Sequence, residues 1–244
     1  MTKVQVISAV HANLTALEAV LADAGKVNEV WCLGDIAGYG PDPNECIERI
    51  QGLPKLTCMM GNHDYAAIGN MALETFNIDA KKALLWQRER LTEESRIFLR
   101  TLLQQPKVNG SVTLVHGSPR DPIWEYVINT LVARINLAYF ETLWCFVGHS
   151  HFQAVFQYHA ETDEVSIEVP RPGDRYKLKE RALLNPGSVG QPRDRDPRAA
   201  YAFFYPREKA WEPRRVEYDI PAVQKRILEA GLPPRHAERL AGGW

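Results

Sequence analysis

An α/β fold built on two sheets is what the sequence predicts, and three observations predict it. Short β-branched runs alternate with helical patterns through the first 150 residues, as parallel strand–helix–strand units require. After residue 150 the texture turns to meandering strands joined by Pro- and Gly-bearing turns, which reads as a second sheet. His, Asp and Asn residues gather where the predicted strands end, the place where open α/β sheets build their sites.

The strand-like runs of the first part lie at 4–8, 30–33, 56–60, 112–116 and 145–148. Between the first two, Asn13 is placed to cap a helix whose Leu14, Leu17, Val20 and Leu21 share one face and which ends at Gly25. Further helices are expected at 44–51, 78–91, 93–104 and 129–139, and later strands at 154–158, 165–169, 182–184, 201–205 and 214–218. The tail, about 220–244, is helix-like but carries Pro233 and Pro234, so two short helices fit better than one long one.

With 244 residues, 45% of them hydrophobic, the chain can bury a large core, and one domain over 1–244 is expected. The 29 Lys and Arg nearly cancel the 30 Asp and Glu, so no overall field marks a nucleic-acid or membrane-surface binder. No apolar run approaches the roughly 20 residues that span a bilayer, and a strand rather than a signal peptide opens the sequence. A cytoplasmic location is the expectation. Cys32, Cys46, Cys58 and Cys145 form no C-x-x-C pair and read as core thiols.

The chemistry rests on His11, Asp35, Asn62, His63, Asp64, His116, His149 and His151, which include five of the seven histidines. Each stands beside a Gly or small residue that lets the backbone turn. One such His is more often a satisfied hydrogen-bonding residue than a ligand; a strand-end set of them is not. Imidazoles, a carboxylate and an amide oxygen form a mixed N and O donor set suited to Mn, Fe, Zn, Co or Ni, while the lack of thiolates argues against a structural zinc site. His149 and His151, two apart, can serve one centre only if the strand has ended and the chain is turning.

These blocks, Ala9-Val10-His11, Gly34-Asp35, Gly61-Asn62-His63-Asp64, His116 and Gly148-His149-Ser150-His151, resemble the calcineurin-like metallophosphoesterase superfamily in order and spacing. The loop Asn185-Pro186-Gly187-Ser188-Val189-Gly190 extends the likeness to about residue 205, closest to the small bacterial and archaeal phosphodiesterases. The resemblance implies a four-layer αββα sandwich of two mixed sheets flanked by helices. It also implies two divalent metal ions bridged by Asp35, with His11 and His151 at the first and Asn62, His116 and His149 at the second. Hydrolysis of a phosphomonoester or phosphodiester by a metal-activated water follows, with His63 at the phosphoryl or leaving oxygen and Asp64 orienting its ring.

At position 9 the family pattern has a metal-binding aspartate, and this chain has Ala9. The first site is therefore expected to be weak or empty and turnover reduced. A catalytically impaired scaffold or a nucleotide-binding protein on the same fold is the alternative.

Between Arg171 and Arg215 twelve Lys and Arg face six Asp and Glu. Arg193, just after the Gly187–Gly190 turn, is the candidate phosphate-binding cation within that surplus. Backbone N–H groups of the turn could also face a phosphate, though a plain turn is the simpler reading. Trp124 and Tyr126 are candidates for a substrate-contacting rim. Ser118 lacks the G-x-S-x-G elbow of a serine nucleophile. The expected partner is a small phosphoester, with a nucleotide among the candidates.

Overall fold

The computed structural model describes residues 2–244. Strand and helix alternate first: β1 (Val4–Ile7), α1 (Leu14–Ala24), β2 (Glu29–Cys32), α2 (Pro43–Gln51), β3 (Thr57–Cys58) and α3 (Asn62–Ala67). Next come α4 (Ile78–Arg90), α5 (Glu93–Arg100), β4 (Lys107–Asn109), β5 (Val112–Leu114), α6 (Thr130–Asn136) and β6 (Trp144–Phe146). The meandering part supplies β7 (Ala154–His159), β8 (Glu164–Glu168), β9 (Tyr176–Lys177), β10 (Ala182–Asn185), β11 (Ala199–Tyr205) and β12 (Ala210–Val216). Two helices close it, α7 (Ile220–Glu229) and α8 (Pro234–Gly242).

The strands form two mixed six-stranded sheets, ordered β3-β2-β1-β11-β12-β9 and β4-β5-β6-β10-β7-β8. The change of texture near residue 150 does not divide them. β11 returns to pair antiparallel with β1, Val4 opposite Phe204, while β10 lies parallel to β6, Ala182 opposite Trp144. Each sheet thus joins early parallel strands to late antiparallel ones.

Alternation along the strands sets the layers. Val4, Val6, Trp31 and Leu33 point between the sheets against Leu114, Trp144 and Phe146, whereas Ile7, Val30 and Cys32 face outward onto Leu17 and Val20 of α1 and Ile47 and Ile50 of α2. On the far side, Cys145 and Leu183 pack against Ala133 of α6. The result is the expected four-layer αββα sandwich. Burial on both faces is why these strands read as continuous apolar runs. Phe204 sits 5.1 Å from Phe146 and 5.7 Å from Trp144, an aromatic seam through the middle layer.

Local signals behave as read at α1, where the Asn13 side chain accepts from the Ala16 N–H at 3.1 Å. They fail at α5, which stops at Arg100 rather than reaching residue 104, because Leu103 exchanges backbone hydrogen bonds with Cys58 and Met60 beside β3. The helix expected over 129–139 is α-helical to Asn136 and then tightens into a 3₁₀ turn, Leu137–Tyr139. All four thiols are free and buried. No helix among the described residues is long and apolar enough to cross a membrane.

Candidate metal centre

Six chain segments leave strand ends on the same edge of the sandwich and converge there. Several turn in the left-handed region: Ala9, His11 and Asp35 at φ +50°, +49° and +56°, and His149 and His151 at +61° and +60°. Non-glycine residues pay of order 1 kcal/mol for this conformation, which the surrounding hydrogen bonds over-determine. The loop after β10 laces the segments together. Ser188 Oγ and the Gly190 N–H both donate to the Ala9 carbonyl, and Asn185 Nδ2 donates to the Gly148 carbonyl at 2.8 Å.

Three imidazoles are held by one device. The Nδ1–H of His11 donates to the Ala37 carbonyl (2.9 Å), that of His116 to Leu33 (2.6 Å) and that of His151 to Gln191 (2.6 Å). Because a carbonyl only accepts, each ring keeps its lone pair on Nε2. Those lone pairs converge: His11 Nε2 lies 3.0 Å from His151 Nε2, and His116 Nε2 lies 3.2 Å from His149 Nδ1 and 3.3 Å from Asn62 Oδ1. Asp35 Oδ2 stands between the pairs, 3.7 Å from His11 Nε2 and 3.6 Å from His116 Nε2. Two groups of possible metal ligands result, His11–Asp35–His151 and Asp35–His116–His149, with the carboxylate common to both.

Burial keeps the imidazoles neutral. It holds His11, His149 and His151 well below the usual range and brings His116 down to about 4. The same burial pushes Asp35 up to about 7. Facing lone pairs beside a carboxylate this disfavoured as an anion are what a divalent cation would satisfy, and a backbone carbonyl behind each of three rings is the usual outer support of such ligands. The donor set therefore fits divalent metal. It fits unequally, since Ala9 contributes only a buried methyl group to the first group.

The sequence profile of the calcineurin-like phosphoesterase superfamily domain matches residues 2–209. The chain belongs to this superfamily. It is 37% identical over 243 residues to an uncharacterized protein of Methanocaldococcus jannaschii, covering 97% of this chain and 96% of that one. A metallophosphoesterase from Sphaerobacter thermophilus superposes with a TM-score of 0.92 at 44% identity, over 100% of this chain and 99% of its own. A hypothetical protein from Pyrococcus horikoshii shares the fold, with a TM-score of 0.77 at 22% identity and 100% and 99% coverage.

His63 and Asp64 sit at the N-terminus of α3, but the Asp64 carboxylate makes no hydrogen bond to the His63 ring that it was expected to orient. Asp64 spends its carboxylate on three backbone N–H groups, those of Asp35 (2.7 Å), Ala37 (2.8 Å) and Gly61 (3.0 Å). It orients the loops that carry the candidate ligands rather than the His63 ring, whose Nδ1 is buried without a partner. Burial raises Asp64 to about 7 as well, with the neighbouring Asp35 charge adding to the effect. The His63 N–H in turn donates to Asp35 Oδ1 at 2.9 Å. A side chain at Gly61 would put its Cβ 2.1 Å from that same oxygen, so the superfamily's glycine is a steric requirement here.

Arg193 lies at the mouth. One terminal nitrogen donates to the Tyr39 hydroxyl (3.1 Å) and to Gln191 Oε1 (3.0 Å), and no carboxylate pairs with it among the described residues. Much of the basic surplus is neutralised instead: Arg175 pairs with Glu208 and Glu212, Arg198 with Asp196, Arg214 with Asp23 and Arg215 with Asp194. The Gly187–Gly190 turn has no spare cradle, because the N–H groups of Gly187, Val189 and Gly190 donate within the fold. Ser118 donates to Glu125 at 2.6 Å and is structural.

The sequence gives the stretch Gly38–Pro43, with Tyr39, two equal readings, a pocket wall or a rigid connector, and gives no signal for Phe76, Gln87 or His236. The Tyr39 ring is 4.5 Å from both His11 and His63 and 4.9 Å from His236 of α8. Gln87, fully buried on α4, accepts from Gly38 N and donates to the Gly40 carbonyl, fixing the Tyr39 loop from both sides. A Gln in the last turn of a helix carries no signal of that work.

Proposed function

We propose that the chain hydrolyses a small phosphoester with divalent metal ions. Asp35, Asn62, His116 and His149 would form the tighter site, and His11, Asp35 and His151 a weaker one. The observation that carries this reading is the convergence of imidazole lone pairs on both sides of one buried carboxylate. When bound there, paired dications lower the pKa of a shared water and neutralise charge on the phosphoryl oxygens. Among the chain's own groups, the neutral His63 ring offers an N–H to a phosphoryl or leaving oxygen, and Arg193 grips a non-reacting oxygen through its fork of donors. Asp64 is a positioning residue that holds the Asp35, Ala37 and Gly61 backbones in register. A nucleotide is among the candidate esters.

The test is turnover of bis-para-nitrophenyl phosphate and its monoester after chelation and Mn return, with metal content measured alongside, for this chain and Ala9→Asp. Expected are chelator-sensitive activity, close to one tightly held ion per native chain, and a second ion with at least about tenfold faster turnover in the variant. Ala9 itself favours a second reading, a metal-poor scaffold on the same fold. Absence of turnover in both folded proteins would hand the argument to it.

A further inference from the structure

Phe76, Trp124 and Tyr126 make an aromatic rim on one flank of the centre. Phe76 arrives on the α3–α4 connection, and Trp124 and Tyr126 on the long connection between β5 and α6, so two distant segments bring rings to one place. The rings run on from the site in a chain. His63 and Phe76 are 5.1 Å apart and Phe76 and Trp124 5.5 Å, and Tyr126 stacks on His149 at 3.9 Å with 24° between the planes.

Trp124 and Tyr126 belong to none of the hydrophobic clusters of the fold, and Tyr126 is 44% exposed. Phe76, by contrast, is partly buried against the main core cluster. Beside the Tyr126 hydroxyl stands the guanidinium of Arg193, 5.7 Å from the centroid of the Tyr39 ring and without a salt-bridged carboxylate among the described residues. A cation beside the metal ligands suits phosphate. Partly exposed rings next to the candidate ligands suit a flat apolar group attached to it.

We infer that the site is specific for phosphoesters bearing a planar aromatic moiety, an aryl or nucleoside group, which the rim of Phe76, Trp124 and Tyr126 receives while Arg193 holds the phosphate. This rests on the proposed hydrolase reading for its substrate type, and names the class that reading leaves open. Trp124 and Tyr126 are then specificity residues, with no part in the chemical step.

Phosphonates test it without turnover, because their P–C bond is not hydrolysed. Calorimetric titration of the Mn-loaded protein would compare methylphosphonate, phenylphosphonate and the 5′-methylenephosphonate analogue of AMP. The ring-bearing probes are expected to bind at least about tenfold tighter than methylphosphonate, the lower part of what stacking on an aromatic side chain contributes. Trp124→Leu, and separately Phe76→Leu, should cut that ratio to about twofold, whereas Arg193→Gln should weaken all three probes alike. A nucleoside probe tighter than phenylphosphonate assigns the rim to a base; equal affinities assign it to a simple aryl group. Equal binding of phenyl- and methylphosphonate, a ratio unchanged in both leucine variants, or no binding by any probe overturns the inference. Ring preference without turnover would sink the hydrolase reading alone, and chelator-sensitive turnover without ring preference would sink this one alone.

Discussion

His11 and His151 flank Asp35 on one side and His116 and His149 on the other, yet the two sides are not equally furnished. Both draw their rings from strand-end turns, and both tie at least one Nδ1–H to a backbone carbonyl. Only the His116 side has a further oxygen donor, Asn62 Oδ1. On the His11 side the matching place belongs to Ala9, which keeps the left-handed turn at φ +50° and lacks the donor. Backbone scaffold and donor chemistry are thus separable: the loop still takes its path without the carboxylate, because hydrogen bonds from Ser188 and Gly190 hold it.

The largest effect should come from breaking what both sides share. Asp64→Ala leaves three buried N–H groups without acceptors, each costing roughly 1–3 kcal/mol, so a loss of about 3–5 kcal/mol is expected in urea unfolding of the chelated protein. A loss under about 1 kcal/mol would mean the two sides do not rest on this carboxylate. A sharper cut compares His149→Ala with His151→Ala by metal titration. Tight binding should fall by about 100-fold in the first and by severalfold in the second; equal losses would erase the asymmetry.

The smallest effect comes through His236, which leans on Tyr39 beside His11 and His63. Burial lowers its imidazole pKa below the ordinary 6.5. The unfolded chain then takes up the proton first, so the contribution is complete above about pH 6.5 and is lost as pH falls below it. The urea midpoint of the native protein minus that of His236→Gln should therefore shrink between pH 8 and 5.5, and a constant gap would rule the coupling out.

How much of this was legible depended on the kind of signal. Residues such as Asp35, His116 and His149 stood out because a strand run, a glycine and a donor residue sit side by side in sequence. Asp64 was visible but its partners were not, since backbone N–H groups leave no residue-type signature. The pairing of β11 with β1 joins residues about 200 apart, and no local texture encodes that register. α3, six residues long, is too short for helical periodicity to appear. Phe76 looked like an ordinary apolar residue, and only the folded loop turns it towards His63.

The left-handed turns at His11, Asp35, His149 and His151 bear on timing as well as geometry. Their conformational cost is met when the chain folds, so an ion arriving at the proposed centre would find its candidate ligands already aimed. Capture should then be limited by how fast the ion sheds water rather than by loop rearrangement, making manganese load faster than nickel whichever the protein finally prefers.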